Sequence, residues 1–174
     1  YDFAAALELA SKGIGVARPV AYGQETGLVR EKRSFVMFEE LPRAEALERL
    51  LPGGLETPYE YRLLQDRKAL VTRLAEMVRR LHQAGLFHRD LYLGHIFLSQ
   101  DRTGRERLCL IDLQRVFRPV FHRRRWQVKD LAQLYYSGRP FLRRTEVLRF
   151  LHAYLGRSRL AGRDKRLARA VYRK

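Results

Sequence analysis

Two aspartates that flank a predicted β-hairpin constrain this chain more than any other feature. Asp90 ends a polar loop entry, and Asp112 directly follows an apolar run. The apolar runs at residues 96–98 and 108–111 predict two short strands, with a turn signal at residues 101–104 between them. Because a hairpin brings the outer ends of its strands together, we expect the two carboxylates to lie close to each other. In phosphoryl transfer, one such aspartate orients the attacking hydroxyl and a second holds the divalent cation that bridges the nucleotide phosphates.

Apolar residues at helical spacing predict that the chain on both sides of this hairpin is helical. One stripe predicts a helix over about residues 66–84, which Gly85 ends. Similar stripes predict further helices beyond Arg123, and residues 157–174 form a basic tail that is amphipathic at best. The stripe of the long helix comprises Leu70, Leu74, Met77, Val78 and Leu81.

The N-terminal part of the chain predicts one helix and a small sheet. Apolar spacing favours a helix over residues 2–12, and short apolar runs with Gly23 and Gly27 as turn positions favour strands. A turn-rich stretch over residues 51–58 separates this part from the long helix, and no repeat or linker marks a second domain. The predicted strands cover residues 16–22, 28–30 and 34–39.

The composition describes a basic chain that folds around a core. Of its 174 residues 46% are hydrophobic, which excludes an acidic disordered tail, and 35 Lys and Arg against 19 Asp and Glu give a net charge of +16. Such a charge attracts nucleic acid, an anionic membrane surface or a phosphorylated substrate without distinguishing between them. A nucleic-acid-binding module gathers its basic residues in a stripe with exposed aromatic side chains, whereas here they are spread along the chain. No apolar run approaches the roughly 20 residues that span a bilayer.

The single cysteine and the first residue support two further expectations. Cys109 lies in an apolar run, which favours a buried thiol in a reducing compartment. The chain begins with Tyr1 instead of Met, and its apolar pattern is under way by Phe3. We therefore expect the chain to begin inside a longer protein.

Four strings, in this order, resemble the lipopolysaccharide core kinases of the Kdo/WaaP type, which are small relatives of the protein-kinase fold. The resemblance extends from Phe3 to about Tyr154 and implies an α+β, protein-kinase-like fold, mostly the helical C-lobe with a truncated N-lobe of one helix and a small antiparallel sheet. It implies one domain, in which residues 1–41 are the residual N-lobe and hinge and residues 42–174 are the C-lobe. The strings are Ser34-Phe35 through Glu39-Glu40-Leu41-Pro42, His88-Arg89-Asp90-Leu91-Tyr92-Leu93-Gly94-His95, Leu110-Ile111-Asp112-Leu113-Gln114-Arg115-Val116, and Arg124-Arg125-Trp126 with Lys129-Asp130-Leu131.

The resemblance assigns chemical roles to the two aspartates and their neighbours. Asp90 would be the catalytic-loop base, in a catalytic triplet with His88 and Arg89, and Asp112 would bind the metal. His95 stands where protein kinases place a metal-binding Asn, so it either completes the metal site or braces Asp90. Imidazole is a softer ligand than the oxygens that Mg²⁺ prefers.

Three other groups have implied roles. Backbone groups of Glu39, Glu40 and Leu41 would form the hinge that binds the adenine of ATP. Asp130 would accept hydrogen bonds from the backbone of the catalytic loop. A basic loop before the helices either grips sugar phosphates or faces solvent. Its candidate substrate-binding residues are Arg123, Arg124 and Arg125.

Two parts of a kinase site are missing from the sequence pattern. A glycine-rich turn over the phosphates and a strand lysine paired with a helix glutamate are expected. Lys12 is predicted to end the first helix and Lys32 to lie in a turn, and Gly13-x-Gly15 leads into a strand, so none of these fits. The first helix offers only Asp2 and Glu8 as acidic partners. We expect a truncated enzyme that, as this stretch alone, binds nucleotide poorly and is inactive.

The resemblance implies ATP-dependent phosphorylation of a sugar hydroxyl, on heptose or Kdo, in the lipopolysaccharide inner core. Mg²⁺ is the expected cation, with Mn²⁺ as the alternative. An anionic, membrane-anchored acceptor agrees with the net charge of +16. We expect a cytoplasmic protein, peripheral on the cytoplasmic face of the inner membrane, with no nucleic-acid partner. The basic tail either faces an anionic leaflet or is a solvated, frayed C-terminus.

Three alternatives stay open: a phosphotransferase acting on a protein or another small molecule, an inactive pseudokinase scaffold, and a nucleic-acid-binding module. The string at residues 92–95 argues against the first, and the spread of basic residues argues against the last. Trp126 is expected to anchor the core rather than to face substrate. His82, His122 and His152 are expected to be solvated or core-edge imidazoles.

Overall fold

A computed structural model describes residues 2–26, 31–51 and 61–174, and shows a helix, two small antiparallel sheets and a helical body. Short 3₁₀ helices at Leu93–His95 and Leu113–Arg115 flank the hairpin on its two sides. The strands are β1 (Pro19–Thr26), β2 (Glu31–Phe38), β3 (Ala44–Ala46), β4 (Ile96–Gln100) and β5 (Glu106–Leu110). The helices are α1 (Asp2–Ser11), α2 (Leu47–Leu50), α3 (Arg62–Gln65), α4 (Arg67–Gln83), α5 (Arg123–Gly138), α6 (Arg144–Leu155) and α7 (Gly162–Arg173).

Strands β1 and β2 form a two-stranded ribbon in which Gly23 lies opposite Phe35. A Cβ atom at position 23 would lie 2.3 Å from the Phe35 ring, so a larger residue would displace that ring. The prediction of a turn at Gly23 is wrong, because this glycine accommodates a cross-strand ring inside a strand that continues to Thr26. The predicted strand at residues 28–30 lies outside the described residues. Lys32, predicted in a turn, lies in β2.

Strands β4 and β5 form the predicted hairpin, with Ile96 opposite Leu110. Asp101 organises its turn, since Oδ1 accepts from the backbone N–H groups of Thr103 at 2.9 Å and Arg105 at 3.0 Å. The hydrogen bonds from Thr103 and Arg105 also hold the pKa of Asp101 below its ordinary value. The hairpin that carries the two aspartates at its ends is therefore specified locally.

Strand β3 is a third strand of this sheet that the sequence did not predict. It pairs antiparallel with β4, with Ala44 opposite Ser99. The Ser99 hydroxyl donates to the Pro42 carbonyl at 2.7 Å. Ala-Glu-Ala has no β-branched or aromatic residue, so local propensity carries no strand signal there. Pairing with β4 alone makes these residues extended.

The predicted long helix is confirmed as α4. The Asp66 side chain caps its N-terminus by accepting from the Ala69 N–H at 3.0 Å, and Gly85 follows its C-terminus with φ 77°. Its apolar face packs against α6, β5 and the rest of the core. The buried residues of that face include Leu70, Leu74, Ala75, Met77, Val78 and Leu81.

The basic C-terminal tail is folded as α7, so the alternative of a frayed C-terminus is wrong. Asp164 begins the helix by accepting from the Ala161 N–H at 2.8 Å. Leu167 is buried, and Val171 packs against the core beside it. The sequence indicates this helix only weakly, because its apolar stripe is short and basic residues occupy most of its other positions.

Cys109 is fully buried in β5, as predicted, and burial raises the pKa of its thiol to about 11. No helix among the described residues combines the length and the apolar composition that a bilayer crossing requires.

Replacing Gly15 with alanine is expected to destabilise the fold. A Cβ atom there would lie 2.0 Å from the Leu108 carbonyl oxygen, where the Leu110 N–H donates to the Gly15 carbonyl at 2.8 Å. Backbone must move, which we expect to lower the free energy of unfolding by about 1–3 kcal/mol. Gly162→Ala is the control, because, apart from its chain neighbours and its own helix backbone, no described residue has an atom within 4 Å of its Cβ position. Urea denaturation measures both; equal midpoints for the two variants contradict this account.

Candidate active site

A buried carboxylate on α5 holds the loop of residues 88–92, called here the Asp90 loop. Asp130 is fully buried. Its Oδ2 accepts from the N–H of His88 at 2.8 Å, and its Oδ1 accepts from the N–H of Arg89 at 2.9 Å. These are the hydrogen bonds predicted for Asp130. Arg89 has φ 71°, a left-handed conformation that costs a non-glycine residue roughly 1–2 kcal/mol, and the second hydrogen bond stabilises it.

A network of hydrogen bonds that includes Asp130 connects three helices. His82 Nε2 lies 3.2 Å from Asp130 Oδ2, and His82 Nδ1 lies 2.7 Å from the Tyr154 hydroxyl. An ionised carboxylate only accepts, so His82 donates from Nε2 and accepts at Nδ1 from Tyr154. Gln127 Nε2 donates to the same hydroxyl at 2.7 Å, and burial raises the pKa of Tyr154 to about 12. This network joins α4, α5 and α6 to the Asp90 loop.

The Asp90 carboxylate is held by side chains from two other elements. Arg115 Nη1 lies 2.7 Å from Oδ2. Gln133 Nε2 lies 3.5 Å from Oδ1 and donates to the Tyr92 hydroxyl at 2.9 Å. The Asp90 side chain is 16% exposed. The carboxylate therefore has a defined orientation and remains partly accessible from solvent.

His95 lies between the two aspartates. Its Nδ1 is 2.8 Å from the Asp90 carbonyl oxygen, and its Nε2 is 3.8 Å from Asp112 Oδ2. A carbonyl only accepts, so Nδ1 carries the proton, and in the neutral ring the Nε2 lone pair is free toward Asp112. Metal-binding histidines commonly donate from their other nitrogen to a carbonyl in this way. This orientation braces the Asp90 backbone, and it is the orientation that the predicted metal site would require.

The donor groups of Asp112 and His95 fit a divalent cation. A carboxylate oxygen suits Mg²⁺ and Mn²⁺, and the imidazole nitrogen favours Mn²⁺ more than Mg²⁺. Both side chains are accessible, with Asp112 40% and His95 31% exposed. Within residues 2–26, 31–51 and 61–174, no group of three or more His, Cys, Asp or Glu is placed to hold a metal ion. A cation here would use these two protein ligands, which suits Mg²⁺, since this ion keeps waters and substrate phosphates as ligands.

His88, predicted to be catalytic, is fully buried. Its Nε2 donates to the Ile111 carbonyl at 3.0 Å, so it connects the Asp90 loop to the residue before Asp112. Burial lowers the pKa of His88, which keeps the ring neutral at neutral pH. A side chain without exposed surface does not touch substrate, and His88 is better described as a positioning residue.

Arg89, also predicted to be catalytic, directs its guanidinium toward two aromatic rings. The guanidinium carbon lies 5.1 Å from the centre of the Phe117 ring and 5.3 Å from that of Trp126. Among the described residues, no hydrogen bond or ion pair joins this guanidinium to Asp90. Arg89 therefore anchors the loop, and Trp126 packs edge-on against Phe117 at 4.9 Å.

A cavity of about 400 Å³ opens between α1, the β1–β2 ribbon and the 3₁₀ helix after Asp112. Asp2, at the start of α1, and Gln114 line it. Burial raises the pKa of Asp2 above its ordinary value, and the charge of Asp112 raises it further. Gln114, which lines the cavity, follows the predicted metal ligand Asp112 by two residues. The other lining residues of the cavity are Phe3, Tyr22, Ser34, Phe35 and Val36.

Two predicted groups are not joined to the Asp90–His95–Asp112 cluster by hydrogen bonds or ion pairs among the described residues. Glu39, Glu40 and Leu41 connect β2 to β3 outside the lining of this cavity, and Glu39 pairs with Arg18 at 3.3 Å. The basic group forms the exposed first turn of α5. Its members are Arg123, Arg124 and Arg125.

A second cavity, of about 390 Å³, lies between α4, α5, α6 and α7 and is almost wholly apolar. Its charged lining residues are Arg169 and Arg173. It contains none of the predicted catalytic or metal-binding residues. Its apolar walls include Leu74, Leu134, Leu151 and Leu167.

Sequence reasoning missed three polar residues of the site: Arg115, Gln133 and His82. Gln133 lies three residues after Asp130 on α5, and this spacing places both on one helix face, which is a usable signal. Arg115 follows Asp112 closely, yet no local pattern shows that it reaches back to Asp90. His82 carried no signal for its place in the buried network.

The family of this chain is shown by its match to a protein-family model. The model of the lipopolysaccharide kinase (Kdo/WaaP) family matches residues 2–154. The chain belongs to this family. The resemblance drawn from the four strings is therefore confirmed.

Two curated relatives are each named lipopolysaccharide core heptose(I) kinase WaaP. The relative from Pseudomonas aeruginosa is 36% identical over 160 residues, which are 90% of this chain and 59% of the relative. The relative from Escherichia coli K12 is 32% identical over 152 residues, which are 85% of this chain and 56% of the relative. The chain thus spans less than two thirds of the length of these relatives.

A solved structure described as WaaP in complex with acyl carrier protein has a similar fold. The two superpose with a TM-score of 0.74 at 32% identity, over 98% of this chain and 73% of that chain. The predicted α+β, protein-kinase-like fold is confirmed.

The neutral, buried His88 predicts a loss of stability in acid. Its pKa lies below the ordinary value of 6.5, so the unfolded chain binds more protons than the folded chain as the pH falls through that value. The free energy of unfolding should therefore decrease between about pH 7 and about pH 5. His88→Gln, whose amide can still donate to the Ile111 carbonyl, should show a smaller decrease.

Urea denaturation at both pH values measures this effect. His152→Gln is the control, because His152 is partly exposed and its Nδ1 contacts the Arg157 carbonyl, away from the Asp90 loop. Identical pH dependence in the wild type and in His88→Gln contradicts the assignment.

Proposed function

We propose that this chain is the catalytic part of an ATP-dependent kinase that phosphorylates a sugar hydroxyl in the lipopolysaccharide inner core. One observation carries the proposal: Asp90 and Asp112 lie on opposite sides of His95 in a member of the lipopolysaccharide kinase family. Phosphoryl transfer needs one carboxylate for the acceptor hydroxyl and another for the cation, and the two aspartates have separate partners suited to these tasks.

Asp90 would orient the acceptor hydroxyl and take its proton. Arg115 and Gln133 hold its two oxygens, so its orientation is set before the acceptor binds. In a loose transition state the attacking hydroxyl needs positioning more than a strong base. A carboxylate fixed in this way meets that requirement.

Asp112 and His95 would hold Mg²⁺, or Mn²⁺. When bound, the cation neutralises charge on the transferring phosphoryl group. His88 holds the Ile111 carbonyl, and the Ile111 N–H donates to the His95 carbonyl at 3.1 Å. These two hydrogen bonds keep Asp112 beside His95.

ATP would bind between two lobes, with residues 1–41 as N-lobe and hinge and residues 42–174 as C-lobe. The cavity between α1, the β1–β2 ribbon and Gln114 supports this placement, since its walls come from both parts and Gln114 follows Asp112 by two residues. The backbone of Glu39, Glu40 and Leu41 would receive the adenine. Arg123, Arg124 and Arg125 would contact anionic groups of the acceptor or its lipid.

We propose heptose rather than Kdo as the acceptor, because the curated relatives are named heptose(I) kinases. The net charge of +16 suits an anionic glycolipid at the cytoplasmic face of the inner membrane. Intact partners around both aspartates argue against an inactive scaffold.

Loss of either aspartate should reduce phosphate transfer severely. In the complete gene product that contains this chain, Asp90→Asn and Asp112→Ala should each lower turnover of lipopolysaccharide core acceptor by a factor of about 10²–10⁴. Asp101→Asn, in the exposed hairpin turn, is the control and should retain turnover. Transfer of labelled phosphate from ATP measures the rates. Retained turnover in both site variants refutes the roles.

Removing the arginine that holds Asp90 should slow the chemical step. Arg115→Gln should lower kcat by about 10–100-fold with little change in the KM for acceptor, because the carboxylate loses its orientation. Arg115→Lys should recover part of the rate. Arg102→Gln removes the same charge from the hairpin turn and serves as control. A rise in KM with unchanged kcat would instead assign Arg115 to acceptor binding.

A further inference from the structure

Val120 and Phe121 form an exposed apolar tip on the segment between Asp112 and α5. Their exposed fractions, 83% and 76%, are the two highest among large apolar side chains of the described residues. Pro119, directly before them, is buried. Two adjacent apolar side chains on an anchored, projecting tip indicate a surface that is covered when the protein works.

The base of this tip is connected to the Asp90 loop. Phe117 and Phe87 exchange two backbone hydrogen bonds, of 3.0 and 3.1 Å. Asp90 follows Phe87 by three residues, and Val120 follows Phe117 by three. Extended chain spans at most about 3.5 Å per residue, which places the tip within about 30 Å of Asp90. The tip and the Asp90 loop are therefore linked through one pair of backbone hydrogen bonds and short stretches of chain.

Three exposed arginines follow the tip at the start of α5. Within the part of the chain that the structure describes, none of the three forms an ion pair with a carboxylate. The N-terminus of a helix disfavours cations, so these residues do not serve the stability of α5. The guanidinium of Arg125 lies over the Trp126 ring at 5.6 Å, and the exposed charges of the other two are available to an anionic partner. The three are Arg123, Arg124 and Arg125.

We propose that the Val120–Phe121 tip and these arginines dock the protein on an anionic lipid bilayer. The two apolar side chains insert at the boundary between headgroups and acyl chains, and the arginines bind lipid phosphates. The tip is a projection and not a groove, which suits insertion into a fluid layer better than docking of a folded protein. The inference rests on the proposed function, because docking would serve to hold Asp90 near a sugar carried by a membrane lipid.

Vesicle binding by the complete gene product tests the proposal. The wild type should co-sediment with vesicles of phosphatidylcholine mixed with phosphatidylglycerol, and bind pure phosphatidylcholine far less. Val120→Ser with Phe121→Ser should weaken binding to the mixed vesicles by about tenfold or more, and Arg124→Gln by about fivefold. Tyr136→Ser is the matched control, because Tyr136 is 71% exposed on α5. It should bind like the wild type.

A fluorescent reporter distinguishes insertion from electrostatic adsorption. Phe121→Trp should give an additional blue-shifted emission component when mixed vesicles are added, compared with the wild type, in which Trp126 packs against Phe117. Wild-type affinity in the tip variant, or no blue shift in Phe121→Trp, overturns the proposal. Wild-type affinity in the tip variant is also the result expected if the tip binds a protein.

Catalysis is separated from docking by two further measurements. Asp90→Asn should bind mixed vesicles like the wild type, so failure of the proposed kinase activity leaves the docking result readable. The tip variant should phosphorylate a soluble, delipidated core oligosaccharide at the wild-type rate and lose rate on vesicle-embedded lipopolysaccharide. Equal losses on both acceptors contradict a docking role, and thermal unfolding verifies that the tip variant is folded.

Discussion

The candidate site depends on the hydrogen bonds that the carboxylate of Asp130 accepts from the Asp90 loop. This carboxylate is fully buried, and it accepts from the backbone N–H groups of two consecutive residues, His88 and Arg89. A buried backbone donor without a partner costs about 1–3 kcal/mol, so this loop conformation requires an acceptor at that place. His82 and Tyr154 extend the network into α4 and α6. The loop is therefore positioned by the helical body and not by its own sequence.

From this anchor the two halves of the site are joined by a short series of hydrogen bonds. His88 binds the Ile111 carbonyl, Ile111 binds the His95 carbonyl, and His95 binds the Asp90 carbonyl. Asp112 has φ 54°, a conformation that non-glycine residues adopt only when their surroundings hold them. The strand ends that carry the aspartates are thus fixed relative to each other, as a site that must position a hydroxyl and a cation requires.

The segment after Asp112 connects this chemistry to the molecular surface. Arg115 turns back to Asp90, Phe117 pairs with Phe87, and the chain then projects at Val120 before α5 begins. A short stretch of chain thereby contacts the Asp90 carboxylate, braces the Asp90 loop and presents an apolar tip. The residues proposed for catalysis and those proposed for membrane contact are consequently connected by the same short segment.

Local sequence determined the elements whose cause is local: the hairpin with its Asp101 turn, helix α4 between Asp66 and Gly85, and the residues that identify the family. It also pointed to Asp90 and Asp112 as neighbours, because a hairpin has few ways to arrange its ends, and the family resemblance added His95 to them. Tertiary structure alone decided that Gly23 lies inside a strand, that Ala44 pairs with β4, and that Arg115, Gln133 and His82 support the site. His82 and Asp130 are 48 residues apart. Contacts over such separations depend on how helices pack, and neither periodicity nor spacing encodes them.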